Sequence, residues 1–209
     1  MMEERYHSAD PFRWHLNAFL KALKEVPQIV QMELQNLDGF PKWYTPIRDT
    51  LANDQLIAYL GKSRDNIVHK GMLIPNTRAS LGVTEGRGMK LGLSFPLDPL
   101  EDSDAAMKRY LAIAASGSDF LGILIEDEDS RPCVYRRWAL EGFEPELVDL
   151  CAQAWLQTGQ LLDAVLRWLG EEDVPSLSLG CRHGTQAVRY KTFNRALLIE
   201  QFSEIKSAT

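Results

Sequence analysis

Hydrophobic side chains in the first forty residues recur at intervals of three and four, which is the spacing of one face of an α-helix. The positions that form this stripe are Phe12, Leu16, Phe19, Leu23, Val26, Val30, Leu34 and Leu37. Asp10 and Pro11 suit the first positions of a helix, and Gly39 suits its end. The pattern predicts one long amphipathic helix between Asp10 and Gly39, with a kink where Pro27 removes a backbone hydrogen bond.

Further helices follow from the same kind of pattern. A short helix is predicted within 41–52, and Asn53 or Asp54 can then cap a third helix that ends at Gly71. The last long helix is predicted over 145–170. Because no single helix can bury its own apolar stripe, we expect these four helices to pack together as a bundle.

The segment between the third and the last long helix has a different pattern. Residues 79–96 alternate apolar and polar side chains around glycines, which is typical of a β-hairpin. A helix is predicted over 103–117. The apolar runs 120–125 and 133–140 lie on either side of the acidic loop 126–129, and they predict a second hairpin.

The expected fold class is mainly α, a helical bundle with a β-containing insertion. We predict a single domain over 1–209, in which 10–71 and 144–170 form the bundle and 72–140 is the mixed β/α insertion. Residues 175–209 are predicted to be a basic C-terminal extension that contains a strand and a helix.

Composition and charge exclude several classes of protein. The net charge of −6 over 209 residues argues against a protein that coats nucleic acid nonspecifically, although it permits local basic patches. The polar N-terminus and the lack of an apolar run near the roughly 18 residues of a membrane span predict a cytoplasmic protein without membrane contact. Cys181 and His183 lie two residues apart, but zinc needs about four ligands and no second cluster is present. We therefore predict neither a metal nor a cofactor.

Candidate chemistry is concentrated in the stretch SRDNIVHKG, residues 63–71. Arg64 and His69 lie five positions apart on the predicted third helix, where their side chains point about 140° apart and are separated by about 7.5 Å along the axis. They do not face each other, so either the spacing is chance or both side chains serve something outside the helix. If the spacing is chance, Arg64 lies in solvent and His69 is a cation favoured by the helix C-terminus.

A long helix that can kink, a short helix and a third helix ending in Arg-x4-His resemble the HEPN superfamily. Its members are small helical bundles, many of them ribonucleases, with an Arg-x4-6-His motif in which a polar residue follows the arginine. Asp65 fills that polar position. The resemblance covers 10–71 and extends to 144–170, whereas the β-rich 72–140 segment departs from the simplest members. It implies a homodimer in which two motifs face each other across a two-fold axis.

Each residue type in the motif suits metal-independent RNA cleavage. Histidine titrates near neutral pH, so His69 can act as the base or the acid, and Arg64 keeps its charge and presents a planar fork to phosphate. Asp65, one helical turn before His69, could accept from a ring nitrogen and thereby orient the imidazole and raise its pKa. The predicted catalytic residues are thus Arg64, Asp65 and His69. The predicted RNA-binding residues are Lys62, Asn66 and Lys70.

The leading interpretation is a HEPN-like metal-independent endoribonuclease that acts as a homodimer in a toxin–antitoxin, phage-defence or RNA-processing system. Its expected partners are RNA and either an antitoxin or a nucleotidyltransferase-like protein. A noncatalytic HEPN-like module that binds a nucleotide, RNA or a protein is the alternative, and a helical interaction protein unrelated to nucleic acid is the third. His7 is expected in a frayed terminus and His15 beside the apolar stripe.

Overall fold

A computed structural model of the chain describes residues 2–70, 72–85, 88–115, 131–171 and 187–208. Only the backbone is described for residues 66–70, 85, 88–92, 114–115, 187 and 208. Several sequence predictions concern residues outside these ranges: Gly71, the run 120–125, the acidic loop 126–129, Cys181 and His183.

The described residues form six α-helices and four β-strands. The helices are α1 (Ala9–Leu34), α2 (Phe40–Asn53), α3 (Gln55–Lys70), α4 (Ser103–Ala115), α5 (Leu147–Trp168) and α6 (Arg195–Ala208). The strands are β1 (Asn76–Glu85), β2 (Gly88–Pro96), β3 (Arg131–Ala139) and β4 (Tyr190–Thr192). The mainly α architecture with a small β element is confirmed, while the HEPN-like arrangement of the helices stays a prediction.

The chain divides into two compact units, each assembled from separate stretches of sequence. The first, called the sheet unit, consists of the described residues within 1–12, 75–146 and 183–209. The second, called the helical unit, consists of those within 13–74 and 147–182. The range predicted as a C-terminal extension therefore contributes β4 and α6 to the sheet unit.

The sheet unit is built on an antiparallel sheet with the strand order β2-β1-β3-β4. The predicted hairpin over 79–96 is confirmed, because β1 pairs with β2 and Leu81 lies opposite Leu93. On the other side of β1, Leu81 lies opposite Val134 of β3. The partner that the sequence assigned to β3, the run 120–125, lies outside the described residues.

One face of this sheet is buried under helices, as the alternation of apolar residues on β1 requires. The core of the unit combines Ala79, Leu81 and Val83 of β1, Val134 of β3, Ala106, Met107, Tyr110 and Leu111 of α4, and Leu198 of α6. Arg136 lies opposite Ala79 and is also fully buried, with its guanidinium carbon 3.8 Å from the centre of the Trp138 ring. A cation thus occupies a position where the alternation would place an apolar side chain.

The helical unit contains α2, α3, α5 and most of α1, the four helices that the sequence groups into a bundle. Aromatic residues fill part of its core: Phe40 stacks on Tyr44 with ring centres 4.9 Å apart, and the Trp168 ring meets Phe40 edge-on. Leu161 and Val165 of α5 complete this cluster. The Tyr44 hydroxyl donates to the carbonyl of Pro27 at 2.8 Å, which ties α2 to α1.

Two glycines in this unit lie next to the ends of helices and have a positive φ. Gly170 has φ of 90° just after α5, and the amide of Glu171 donates to the carbonyl of Leu166, so the predicted glycine end of this helix is confirmed. Gly39 has φ of 78° but precedes α2, because α1 already ends at Leu34. The predicted end of the first helix at Gly39 is therefore wrong by five residues.

Candidate functional site

Helix α3 carries the predicted motif, and its start is fixed by Asp54. The Oδ1 atom of Asp54 accepts hydrogen bonds from the backbone amides of Leu56 and Ile57 at 2.9 and 3.0 Å. These amides have no partner inside the helix, so the carboxylate acts as its N-cap. The other oxygen, Oδ2, accepts from Gln157 of α5 at 3.1 Å. Of the two capping residues considered from the sequence, Asp54 is the one used.

One face of α3 is buried, and the side chains of Arg64 and Asp65 are only partly covered. Leu56, Leu60 and Ser63 are buried, and the Ser63 hydroxyl donates to the carbonyl of Tyr59 at 2.9 Å. Lys62 is exposed, and Arg64 and Asp65 are half-buried. The two residues that follow Ser63 therefore lie where the helix leaves the core and meets solvent.

Asp65 brings two cations together at this point. Its Oδ1 atom accepts from Nζ of Lys24 on α1, in a short contact, and from Nη1 of Arg64 at 3.3 Å. The side chains of Lys24 and Arg64 are 30% and 28% exposed, and that of Asp65 is 49% exposed. We call Lys24, Arg64 and Asp65 the α1–α3 charge cluster; its formal charge is positive, and both cations retain contact with solvent.

The two cations favour the ionised form of the carboxylate. The hydrogen bond from Lys24 is the largest effect and holds the pKa of Asp65 below its ordinary value. Desolvation opposes it, and the hydrogen bond from Arg64 lowers the pKa further. Asp65 is therefore an anion throughout the neutral range. Its charge is engaged by Lys24 and Arg64.

The structure thus places the predicted site residues in two groups. It brings Arg64 and Asp65 into contact and leaves Lys62 exposed nearby. The backbone of Asn66, His69 and Lys70 continues α3 to its end, and their side chains lie outside the described residues. The orientation of His69 by Asp65 stays a prediction.

Lys24 is the cluster residue that the sequence interpretation missed. It lies 41 positions before Asp65 on a different helix. Within α1 it is one of two lysines, and Lys21 forms an ordinary pair with Glu25 at 3.8 Å, four residues on. The local pattern gives Lys21 an acidic partner but cannot identify the partner of Lys24, because that partner lies on another helix and is set by the packing of α1 against α3.

Each unit also has a surface pocket among its described residues, and neither pocket is lined by Lys24, Arg64 or Asp65. The pocket of the helical unit, about 370 Å³, lies between α2 and α5 and has Asp54 and Gln157 at its edge. The pocket of the sheet unit, about 340 Å³, contains Lys191, which pairs with Asp104 at 2.6 Å. Among the described residues no group of three or more His, Cys, Asp or Glu side chains is arranged to hold a metal ion.

His7 is not in a frayed terminus, so that expectation is wrong. Its Nε2 atom lies 2.9 Å from the carbonyl of Val188, and its Nδ1 atom lies 2.8 Å from the hydroxyl of Ser103. Since a carbonyl can only accept, Nε2 carries the proton and Nδ1 accepts from Ser103 in the neutral ring. Burial, with a smaller effect of nearby Arg136, lowers the pKa of His7 to about 4.

Comparison with known protein families finds a similarity over the N-terminal part of the chain. The family model described as Bacteriophage lambda protein ea47 matches residues 1–87, which include α1, α2, α3 and β1. No curated protein and no solved structure matches the chain. No helix in the described part of the chain has both the length and the apolar composition needed to cross a lipid bilayer.

Proposed function

We propose that the protein is a HEPN-like endoribonuclease that cleaves RNA without a metal ion at the end of α3. The observation that carries the proposal is the α1–α3 charge cluster, in which two cations converge one helical turn before His69. An Arg-x4-His pair on a surface helix is a weak signal by itself. A second cation beside the arginine adds positive charge where a phosphodiester would bind.

The proposed reaction uses the hydroxyl of the RNA as the nucleophile. The 2′-oxygen attacks the adjacent phosphorus and its proton passes to a base, while the P–O5′ bond breaks and the 5′-oxygen takes up a proton from an acid. The products are a 2′,3′-cyclic phosphate and a 5′-hydroxyl. In this scheme His69 transfers a proton, and Arg64 stabilises the charge that develops on the phosphoryl oxygens.

The scheme requires two proton-transfer groups, and each chain supplies one motif histidine. We propose that the second histidine comes from the other chain of a homodimer whose two-fold axis lies near α3. Two-fold symmetry is the commonest symmetry of soluble oligomers. Sedimentation of the purified protein at micromolar concentration should give the mass of a dimer. A monomer that cleaves RNA at the same concentration would contradict this part of the proposal.

The cellular setting follows from the family comparison only as a proposal. Residues 1–87 are similar to a phage protein family, which among the settings considered favours one connected with phage infection. The expected macromolecular partners are RNA and, in a toxin–antitoxin arrangement, an antitoxin or a nucleotidyltransferase-like protein.

The test is a gel assay of RNA cleavage by the wild type, Arg64→Ala and His69→Ala, with and without EDTA. Loss of a proton-transfer group costs about 10²–10⁴ in rate, and loss of a charge that stabilises the transition state costs about as much. Arg48→Ala is the matched control, because Arg48 is a half-exposed arginine on α2 that pairs with Asp49. The wild type and Arg48→Ala should cleave RNA equally, and EDTA should not slow either.

Two results would overturn the proposal. Cleavage that persists in His69→Ala would show that the motif histidine transfers no proton. Cleavage that stops in EDTA would show that the reaction depends on a metal ion. RNA binding without cleavage by the wild type would favour the alternative of a noncatalytic RNA-binding module.

A further inference from the structure

We propose that Lys24 of α1 is an additional RNA-binding residue and that Asp65 is the positioning residue that holds Lys24 beside Arg64. This inference rests on the proposed function, since it assigns the phosphate-binding pair of the same site. It differs from the sequence interpretation, in which Asp65 serves His69 and α1 takes no part in the chemistry.

The geometry places the two cations close to each other. Nζ of Lys24 and Nη1 of Arg64 both contact the same atom, Oδ1 of Asp65. Two nitrogen atoms that share one acceptor oxygen lie within about 6 Å of each other. Like charges at this separation repel, so the arrangement depends on the carboxylate between them. Without Asp65, the long and flexible side chain of Lys24 has no reason to stay beside Arg64.

This arrangement suits a phosphodiester. The non-bridging oxygens of a phosphodiester accept hydrogen bonds from several cations at once, and both Lys24 and Arg64 retain exposed surface. Arg64 offers further guanidinium N–H groups besides Nη1, and the ammonium of Lys24 has three donors, of which this contact uses one. Lys24 and Arg64 can therefore bind RNA phosphate while Asp65 keeps them in place.

The first measurement is RNA binding by fluorescence anisotropy with a labelled single-stranded RNA, in the His69→Ala background so that the RNA stays intact. Lys24→Ala should raise Kd about tenfold and lower the slope of log K against log salt by about 0.7, the effect of one lost phosphate contact on a single strand. Lys24→Arg should largely restore binding. Lys21→Ala is the matched control and should bind as the parent does, because Lys21 pairs with Glu25 on the same helix.

The second measurement separates positioning from proton transfer. Asp65→Asn should raise Kd and KM. The double variant Lys24→Ala, Asp65→Asn should have the same Kd and KM as Lys24→Ala alone, because both changes remove the same contact between Lys24 and Asp65. In Lys24→Ala, NMR should show the pKa of the Asp65 carboxyl rising toward its ordinary value. If Asp65 instead serves His69, Asp65→Asn lowers kcat and moves the pH profile, and its effect adds to that of Lys24→Ala.

These outcomes distinguish the two proposals from each other. Lys24-dependent RNA binding without cleavage supports Lys24 as an RNA contact and overturns the ribonuclease. Cleavage with unchanged Kd, KM and salt slope in Lys24→Ala overturns the role of Lys24 and leaves the ribonuclease intact. A wild type that neither binds nor cleaves RNA overturns both.

Discussion

Acidification should destabilise the sheet unit through His7. The pKa of His7 is about 4 in the folded chain, mainly because the ring is buried, and 6.5 is its ordinary value. The folded state therefore disfavours the proton that the unfolded chain binds. The stabilisation is fully present above pH 6.5, is lost as the pH falls from 6.5 to 4, and changes little below that.

The magnitude follows from the two pKa values. The fall of the His7 pKa from 6.5 to about 4 corresponds to about 3 kcal/mol once the titration is complete. Between pH 7.5 and pH 5 the loss of stability is about 2 kcal/mol and not yet complete, because the His7 ring of the folded chain is still almost unprotonated at pH 5. The groups that act on this ring besides its burial are the carbonyl of Val188, the cations Arg136 and Lys191, and the carboxylate of Asp104.

The assay needs a readout confined to the sheet unit, and Cys133 provides it. Its thiol is free and fully buried on β3. Urea titrations at pH 7.5 and pH 5 are followed by a short reaction with 4,4′-dithiodipyridine, which modifies thiols at acid pH, and the modified Cys133 peptide is measured by mass spectrometry. The free energy of unfolding is then extrapolated linearly to water.

His7→Gln is the matched variant, since it keeps an N–H donor for the Val188 carbonyl but does not titrate. The loss of stability between pH 7.5 and pH 5 should be about 2 kcal/mol smaller in His7→Gln than in the wild type. Other titrating groups contribute equally to both proteins and cancel in the comparison. The same pH dependence in the two proteins would refute the burial of a neutral His7.

Three further predictions concern stability and are checked by urea unfolding at pH 7.5. Gly170→Ala should lower the free energy of unfolding by about 1 kcal/mol, because φ is 90° at this position. Gly61→Ala in α3 should raise it by about 1 kcal/mol, because there is open space around the added methyl group. Two effects of the same sign would contradict this account of the glycines. Asp54→Ala should cost about 1–2 kcal/mol by removing the α3 cap, and a neutral result would contradict the capping role. Leu16→Ala should cost about 2–5 kcal/mol, while Trp14→Ala on the same helix, 59% exposed, should stay within about 0.5 kcal/mol, and equal costs would refute the assigned burial.

Local patterns predicted the helices and strands, because the spacing of apolar side chains in each of them can be seen within a short run of residues. The stripe from Phe12 to Leu34 and the alternation along β1 appear in the structure as α1 and one face of the sheet. The start of α1 was harder to predict from the sequence. Its first amide, that of Ala9, donates to the carboxylate of Asp102, 93 residues away, at 2.6 Å. A cap supplied from so far along the chain leaves no local signal.

The candidate site shows the same limit. Arg64 and Asp65 could be found because they are adjacent on one helix, whereas Lys24 joins them only through the packing of α1 against α3. Arg136 of the sheet unit is a further case. The alternation of β3 places it on the buried face, where its contacts include the Trp138 ring and a hydrogen bond to Thr77 at 3.2 Å. A single sequence does not show which polar residues meet when they lie far apart along the chain.

The ends of the RNA fragments test the central claim most directly, namely that the segment from Arg64 to His69 cleaves RNA through its 2′-hydroxyl. A defined single-stranded RNA is incubated with the wild type in EDTA, and the fragments are analysed by mass spectrometry. We expect 2′,3′-cyclic phosphate and 5′-hydroxyl ends, none with His69→Ala, and no cleavage of the matching DNA. Fragments with 3′-hydroxyl and 5′-phosphate ends, or the same cyclic ends in His69→Ala, would contradict the proposed chemistry.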